Sequence, residues 1–220
     1  MTFDQLLSLL VSGLWETLYM TAVATVFAYL LGLPLGVLLV VTRRGHIAPA
    51  PALCSALGTV VNVLRSVPFL ILMIAVIPLT RTVMGTTIGS TATIMPLVIA
   101  AFPFVARTVE STLLEVDGGV IEAAQAMGAT TLQIIRKVML PEAVPGLING
   151  AAIATTNILG YSAMAGAIGG GGLGALAINY GYYRYKTDVL FAAIVVLVVL
   201  VQGIQYIGST VSRMVDHRLK

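Results

Sequence analysis

The run Gly160-Tyr161-Ser162-Ala163-Met164 begins like a nucleophile elbow, where a strained turn lifts a serine hydroxyl clear of the fold. Its fifth position breaks the pattern, because Met164 stands where a second glycine is needed. A serine nucleophile also needs a base within reach. The two histidines, His46 and His217, fall in a loop and in the C-terminal tail. Gly169, Gly171 and Gly174 satisfy G-x-G-x-x-G, but a dinucleotide site needs a strand before them and an amphipathic helix after. Here they close an apolar run, so a flexible or tightly packed turn is expected. No Gly-Lys-Ser/Thr is present for a phosphate loop. The single cysteine, Cys54, supports neither an internal disulfide nor a zinc cluster. Catalytic residues, metal ligands and a cofactor on this chain are therefore not assigned.

The residues that remain are polar groups set in apolar surroundings. Of 220 residues, 58% are hydrophobic and 10% charged, against about 25% charged in a soluble domain. With mean hydropathy +1.00, this is an integral membrane protein. Five runs can each cross ~30 Å of hydrocarbon, which takes ~20 residues. They are approximately Leu14–Val41, Ala56–Leu79, Gly89–Ala106, Leu147–Ala167 and Val189–Ile207. Helices are expected, since backbone groups in lipid must be paired within their own segment. The fold class is thus all-α, with five transmembrane helices in one domain, 1–220.

Charge sets the orientation. With the N-terminus outside, the inner segments hold eight basic residues: Arg43, Arg44, Arg107, Arg136, Lys137, Arg213, Arg218 and Lys220. The outer segments hold three: Arg81, Arg184 and Lys186. The positive-inside rule places the C-terminus and the 107–146 segment in the cytoplasm. Arg65 lies inside the second span. It either snorkels to the inner end or faces a cavity or partner, and both readings stay open. Pro34, Pro68, Pro78, Pro96 and Pro103 interrupt spans as tolerated kinks or as hinges. Asn157, Tyr161, Ser162 and Met164 cover about two turns of the fourth span. They are candidates for a translocation pathway, with Met164 as a deformable plug, or for ordinary helix packing.

Between spans three and four lies the polar stretch EAAQAMGATTLQIIRKVMLPEAVPG, residues 122–146. Asp117 suits an N-cap and Gly128 a left-handed stop. Thr130 or Thr131 suits the cap of a second helix, with Leu132, Ile135 and Val138 or Met139 on its apolar face and Pro141 at its end. Pro145 fits the first turn of the fourth span. Two short helices separated by a turn also describe a DNA reader. Residues 110–146, however, carry two basic side chains against five acidic ones, the wrong sign for phosphate. Nucleic acid is not a partner.

The spacing Glu122-Ala123-Ala124, Gly128, then Val138, Leu140 and Pro141 resembles the cytoplasmic E-A-A, G, I-x-L-P motif of bacterial ABC-importer permeases, with Val in the Ile place. In that family the motif forms coupling helices, here about 110–146, that dock into a groove on a separate ATPase. Arg65-Ser66-Val67-Pro68-Phe69, Gly160 to Met164, Gly170 to Gly174, Arg81 and Tyr180-Gly181-Tyr182 are similar to the methionine-importer branch. The resemblance covers nearly the whole chain. It implies a multi-pass permease of the bacterial inner membrane, working as a homodimer with two ATP-binding subunits and an external substrate-binding protein. ATP and Mg would sit on the partner ATPase. The alternatives are an importer of another small amino acid or peptide, and an ATP-independent channel or carrier.

Overall fold

The computed structural model describes residues 3–216; His217, Arg218 and Lys220 lie outside the described residues. Among those described there is no strand. The helices are α1 (Phe3–Val41), α2 (Pro51–Ser66), α3 (Phe69–Ala75), α4 (Ile77–Met84), α5 (Ser90–Leu114), α6 (Gly118–Ala126), α7 (Thr131–Ile134), α8 (Leu140–Ala165), α9 (Gly172–Leu176) and α10 (Thr187–Val215). Four helical stretches are long and apolar enough to cross a membrane: 4–41, 90–114, 131–168 and 187–215. A fifth qualifies only as the pair α2 and α3, bent by 101° at their break.

The bend has a local cause. Pro68 holds φ −57° and ψ 136°, and the proline ring disfavours helical backbone in the residue before it. The second span is therefore not one straight helix from 56 to 79. The other prolines leave their helices whole. Pro34 lies inside α1, Pro96 and Pro103 inside α5, and Pro78 in the first turn of α4, where no N–H is needed.

Pro141 likewise ends nothing. Helix α7 runs through a π turn, Ile135–Met139, directly into α8. In that turn the Leu140 N–H donates to the Ile135 carbonyl, five residues back. The widened turn accommodates a proline that cannot donate to the preceding turn and whose ring would crowd it. The second short helix expected from the sequence is thus the start of the fourth span.

The chain divides into two compact units. The first comprises Met1–Phe27, Val67–Ala101 and Ala154–Gln205. Met20, Leu97, Ile158 and Leu173 are fully buried in it. The Gly169–Gly174 turn is tightly packed: the Gly89 N–H donates to the Gly169 carbonyl at 2.8 Å, and the Gly170 N–H to Ala165 at 2.9 Å.

The second unit comprises Ala28–Ser66, Phe102–Ile153 and Tyr206–Lys220. Within it α5 has a small-residue contact on each of two faces. Gly32 and Gly36 of α1 lie so close to it that a Cβ at either would sit 2.7 Å from Val105 or Val109. Gly146 and Gly150 of α8 face the methyls of Thr112 and Thr108, with corresponding distances of 2.5 and 2.6 Å. Glycines four residues apart let membrane helices approach closely. The hydroxyls of Thr108 and Thr112 donate back to the Phe104 and Thr108 carbonyls, both at 3.0 Å, which turns the methyls outward. Arg107 lies within α5 and not in a loop. Its guanidinium donates to the Gly58 carbonyl at 3.0 Å and the Asn62 amide oxygen at 2.9 Å, and pairs with Glu110. That cluster ties α2 to α5.

Candidate functional site

The segment 117–141 is built by its caps. Asp117 accepts from the Gly119 N–H at 2.7 Å. Helix α6 ends in a Schellman motif, with Gly128 N–H to the Gln125 carbonyl at 2.9 Å and Ala129 N–H to Ala124 at 3.1 Å. Gly128 has φ +78°, a conformation that side-chain-bearing residues rarely adopt. Thr130 and Gln133 then form a reciprocal capping box for α7. The result is a tight corner between α6 and α7.

Side chains at that corner sort by direction. Glu122, Ala123 and Gly128 are exposed, whereas Ile121 and Ala124 are buried. Met127 is 81% exposed, and Val120 and Leu132 are also open. Val138 and Leu140 are half-buried and Pro141 exposed. The buried face past the corner is Ile134 and Met139; Leu132, expected on it, points away because the π turn resets the register. An acidic and apolar ridge of Val120, Glu122, Ala123 and Met127 therefore stands free on α6.

Behind this ridge lies a contact that no spacing in the sequence signals. A cavity of about 160 Å³ is lined by His46 and Ile47 from the α1–α2 loop and by Ile121, Glu122 and Gln125 of α6. The Nδ1 atom of His46 is buried with no hydrogen-bond partner among the described residues. Burial, and secondarily the charge of Arg43, lower the His46 pKa below its usual 6.5.

The residues singled out in the fourth span divide as well. Asn157, Tyr161 and Met164 recur at i, i+4 and i+7 on α8 and so share a face. Asn157 and Tyr161 are half-buried, and Met164 is 50% exposed. Tyr161 stacks on Phe69, with ring centroids 4.6 Å apart and planes 9° from parallel. Ser162 is turned the other way. It is 1% exposed and donates to the Leu159 carbonyl at 2.8 Å, which leaves its hydroxyl committed to its own helix.

Arg65 belongs to the second unit. It is exposed in the last turn of α2, with its guanidinium carbon 6.0 Å from the Phe104 ring centroid. It lines a cleft of about 380 Å³ together with Arg107, Glu115, Asn149 and Ile153. A neighbouring cavity of about 250 Å³ shares Glu115 and Asn149 and adds Glu142, Ser212 and Asp216. Glu115 and Asn149 carry no local signature, so sequence reasoning passes over them.

A family model for the inner membrane component of binding-protein-dependent transport systems matches residues 32–220. The probable D-methionine transport system permease protein MetI of Vibrio cholerae is 54% identical over 210 residues, covering 96% of this chain and 93% of that protein. The D-methionine transport system permease protein MetI of Escherichia coli K12 is 52% identical over 163 residues, or 74% and 75% of the two chains. A solved chain of the MetNI methionine ABC transporter, in inward facing conformations, gives a TM-score of 0.96 at 49% identity, covering 99% of this chain and 100% of that one. With its spans, capped corner and full-length likeness together, the chain belongs to the family of inner membrane components of binding-protein-dependent transport systems.

Proposed function

We propose that this chain is the permease subunit of an ATP-driven importer that carries methionine across the bacterial inner membrane. The observation that carries the substrate is the likeness, over nearly the whole length, to permeases named for D-methionine and to the methionine transporter structure. Two copies would enclose the path, since five spans are few for a gated channel. Two ATPase subunits and an external binding protein complete the machine, with the N-terminus outside and the C-terminus in the cytoplasm. ATP and Mg belong to the ATPase, and this chain does no hydrolysis. Residues 1–220 act as one permease domain.

Coupling falls to Glu122, Ala123, Ala124, Gly128, Val138, Leu140 and Pro141. The exposed α6 ridge suits insertion into a groove, Ala124 seats the helix from behind, and the left-handed Gly128 permits the corner. Because α7 continues into α8 through the π turn, a displacement delivered at the corner enters α8 directly. Arg65, Asn157, Tyr161, Ser162 and Met164 are the pathway set, Ser162 with its hydroxyl committed to the Leu159 carbonyl.

The test is uptake of labelled methionine into proteoliposomes holding this chain, its ATPase and its binding protein. Uptake that requires ATP and is competed by unlabelled methionine is the expected result. Uptake indifferent to ATP overturns the coupled reading. ATP turnover without methionine entry moves the substrate to another small amino acid or peptide.

A further inference from the structure

Helix α9 has no cap of its own, because its N-cap residue is Gly171. Its first donors are met from α1. The Gly172 N–H donates to the Glu16 carboxylate at 2.6 Å, and the Leu173 N–H to the Thr17 hydroxyl at 2.9 Å. Thr17 is 1% exposed, and its hydroxyl proton goes to the Gly13 carbonyl at 2.8 Å. Two consecutive residues of one helix thus supply both cap oxygens of another. The turn is fitted to them. A Cβ on Gly171 would lie 2.6 Å from the Glu16 carboxylate, and one on Gly172 2.6 Å from the Thr17 hydroxyl.

Helix α9 is locked in turn to the end of α8. Gly174 lies against the backbone of Ala163, and Gly166 against that of Ala175, too close in each case for a side chain. The Gly170 N–H donates to the Ala165 carbonyl at 2.9 Å. Met164 lies between the held positions Ala163 and Ala165, so the seating of α9 on α1 bears on the backbone that carries Met164. A side chain at position 171 cannot supply the cap, because Gly171 holds φ +79° and a Cβ there meets the Glu16 carboxylate. A cap lent by α1 does something more, since it joins two segments by bonds that can break and re-form. Carboxylates within membrane spans are costly and face protein or function, and Glu16 has this use.

We propose that Glu16 and Thr17 are positioning residues, a latch that sets the Tyr161–Met164 turn of α8 through α9. Its functional sense rests on the reading of Met164 as part of the path. The test uses the assembled transporter in proteoliposomes, with Cys54→Ser and Met164→Cys, labelled by a membrane-impermeant maleimide. Glu16→Ala with Thr17→Val is expected to speed labelling about tenfold, as for two lost hydrogen bonds. Glu16→Gln keeps an acceptor oxygen and is expected to label at nearly the parent rate when Thr17 is intact. Gly171→Ala, which drives a methyl at the cap oxygen, is expected to speed labelling from the other side of the latch. Unchanged labelling in an assembled Glu16→Ala/Thr17→Val transporter overturns the proposal. So does a Glu16→Gln transporter that labels as fast as the Glu16→Ala/Thr17→Val double variant. If the double variant does not assemble, the single Glu16→Ala decides, with faster labelling expected and unchanged labelling overturning the proposal. Labelling reads the latch whether or not position 164 lines the path; that separate question is answered by uptake in Met164→Trp.

Discussion

The contact between α1 and α5 should fail in a graded way when Gly36 gains one methyl. A Cβ at Gly36 would start 2.6 Å from the Ala106 carbonyl oxygen and 2.7 Å from Val109, well inside the 3.4 Å at which ordinary contact begins. One of those obstacles is backbone, which has no rotamer to change, so the helices must separate. Overpacking of this kind costs about 1–3 kcal/mol. Alanine's better helix preference offsets about 0.5–1 kcal/mol of that. Gly36→Ala is therefore expected to lose up to roughly 2.5 kcal/mol, with about 1 kcal/mol at the centre of the range, which lowers Tm by about 2–4 °C per kcal/mol at this chain length. Gly203→Ala is the matched control, because a Cβ there meets nothing within 4 Å. It keeps only the helix gain and should melt slightly above the parent. Gly32→Ala/Gly36→Ala should cost less than the sum of its parts, since one separation relieves both clashes. Thermal unfolding of the purified permease in a single detergent reads these three variants and the single Gly32→Ala. A Gly36→Ala protein that melts at or above the parent refutes the reasoning, as does a Gly203→Ala protein that falls as far.

Glu122→Lys and Gly128→Asp should each cut uptake about tenfold or more, the effect of losing one interface anchor, while the permease stays in the membrane; parental uptake in both would remove α6 from the coupling role. Met164→Trp should block passage and leave ATPase docking intact, checked by uptake beside co-purification of the ATPase, and full uptake would take Met164 off the path. The His46 pKa is lowered in the folded chain, so folding resists its protonation. Stability from this group is fully present above pH 6.5 and is lost as pH falls below that value. Melting at pH 7.5 and 5.5 should show a smaller acid loss in His46→Gln than in the parent, and an equal loss would assign the acid sensitivity to other groups.

Apolar run length was enough to place four of the membrane helices, since ~20 consecutive apolar residues have few other uses. Caps were legible too: Asp117, Gly128 and Thr130 act through partners two to five residues away. What could not be read depends on geometry between distant segments or on exceptions to local rules. Pro141 looks like a helix stop because the rule assumes an α turn before it, and the π turn removes that assumption. The same extra residue moved Leu132 off the buried face. Pro68 was visible as an interruption, but nothing in its neighbours fixes 101°. The close approach of Gly32 and Gly36 to Val105 and Val109 emerges only from the fold. Glu16 as the acceptor for Gly172 belongs to the same class.

The Arg107 cluster also bears on how the chain enters the bilayer. An arginine in a lone apolar helix resists insertion by up to about 2.5–3.5 kcal/mol. Helix α2 leaves the ribosome before α5, and it already carries the Gly58 carbonyl and the Asn62 amide that Arg107 will bond. Glu110 follows one turn later on α5 itself. The order of synthesis thus delivers the two α2 acceptors before the charge and the carboxylate just after it, and α5 can settle into lipid as a paired helix, with α2 as its escort.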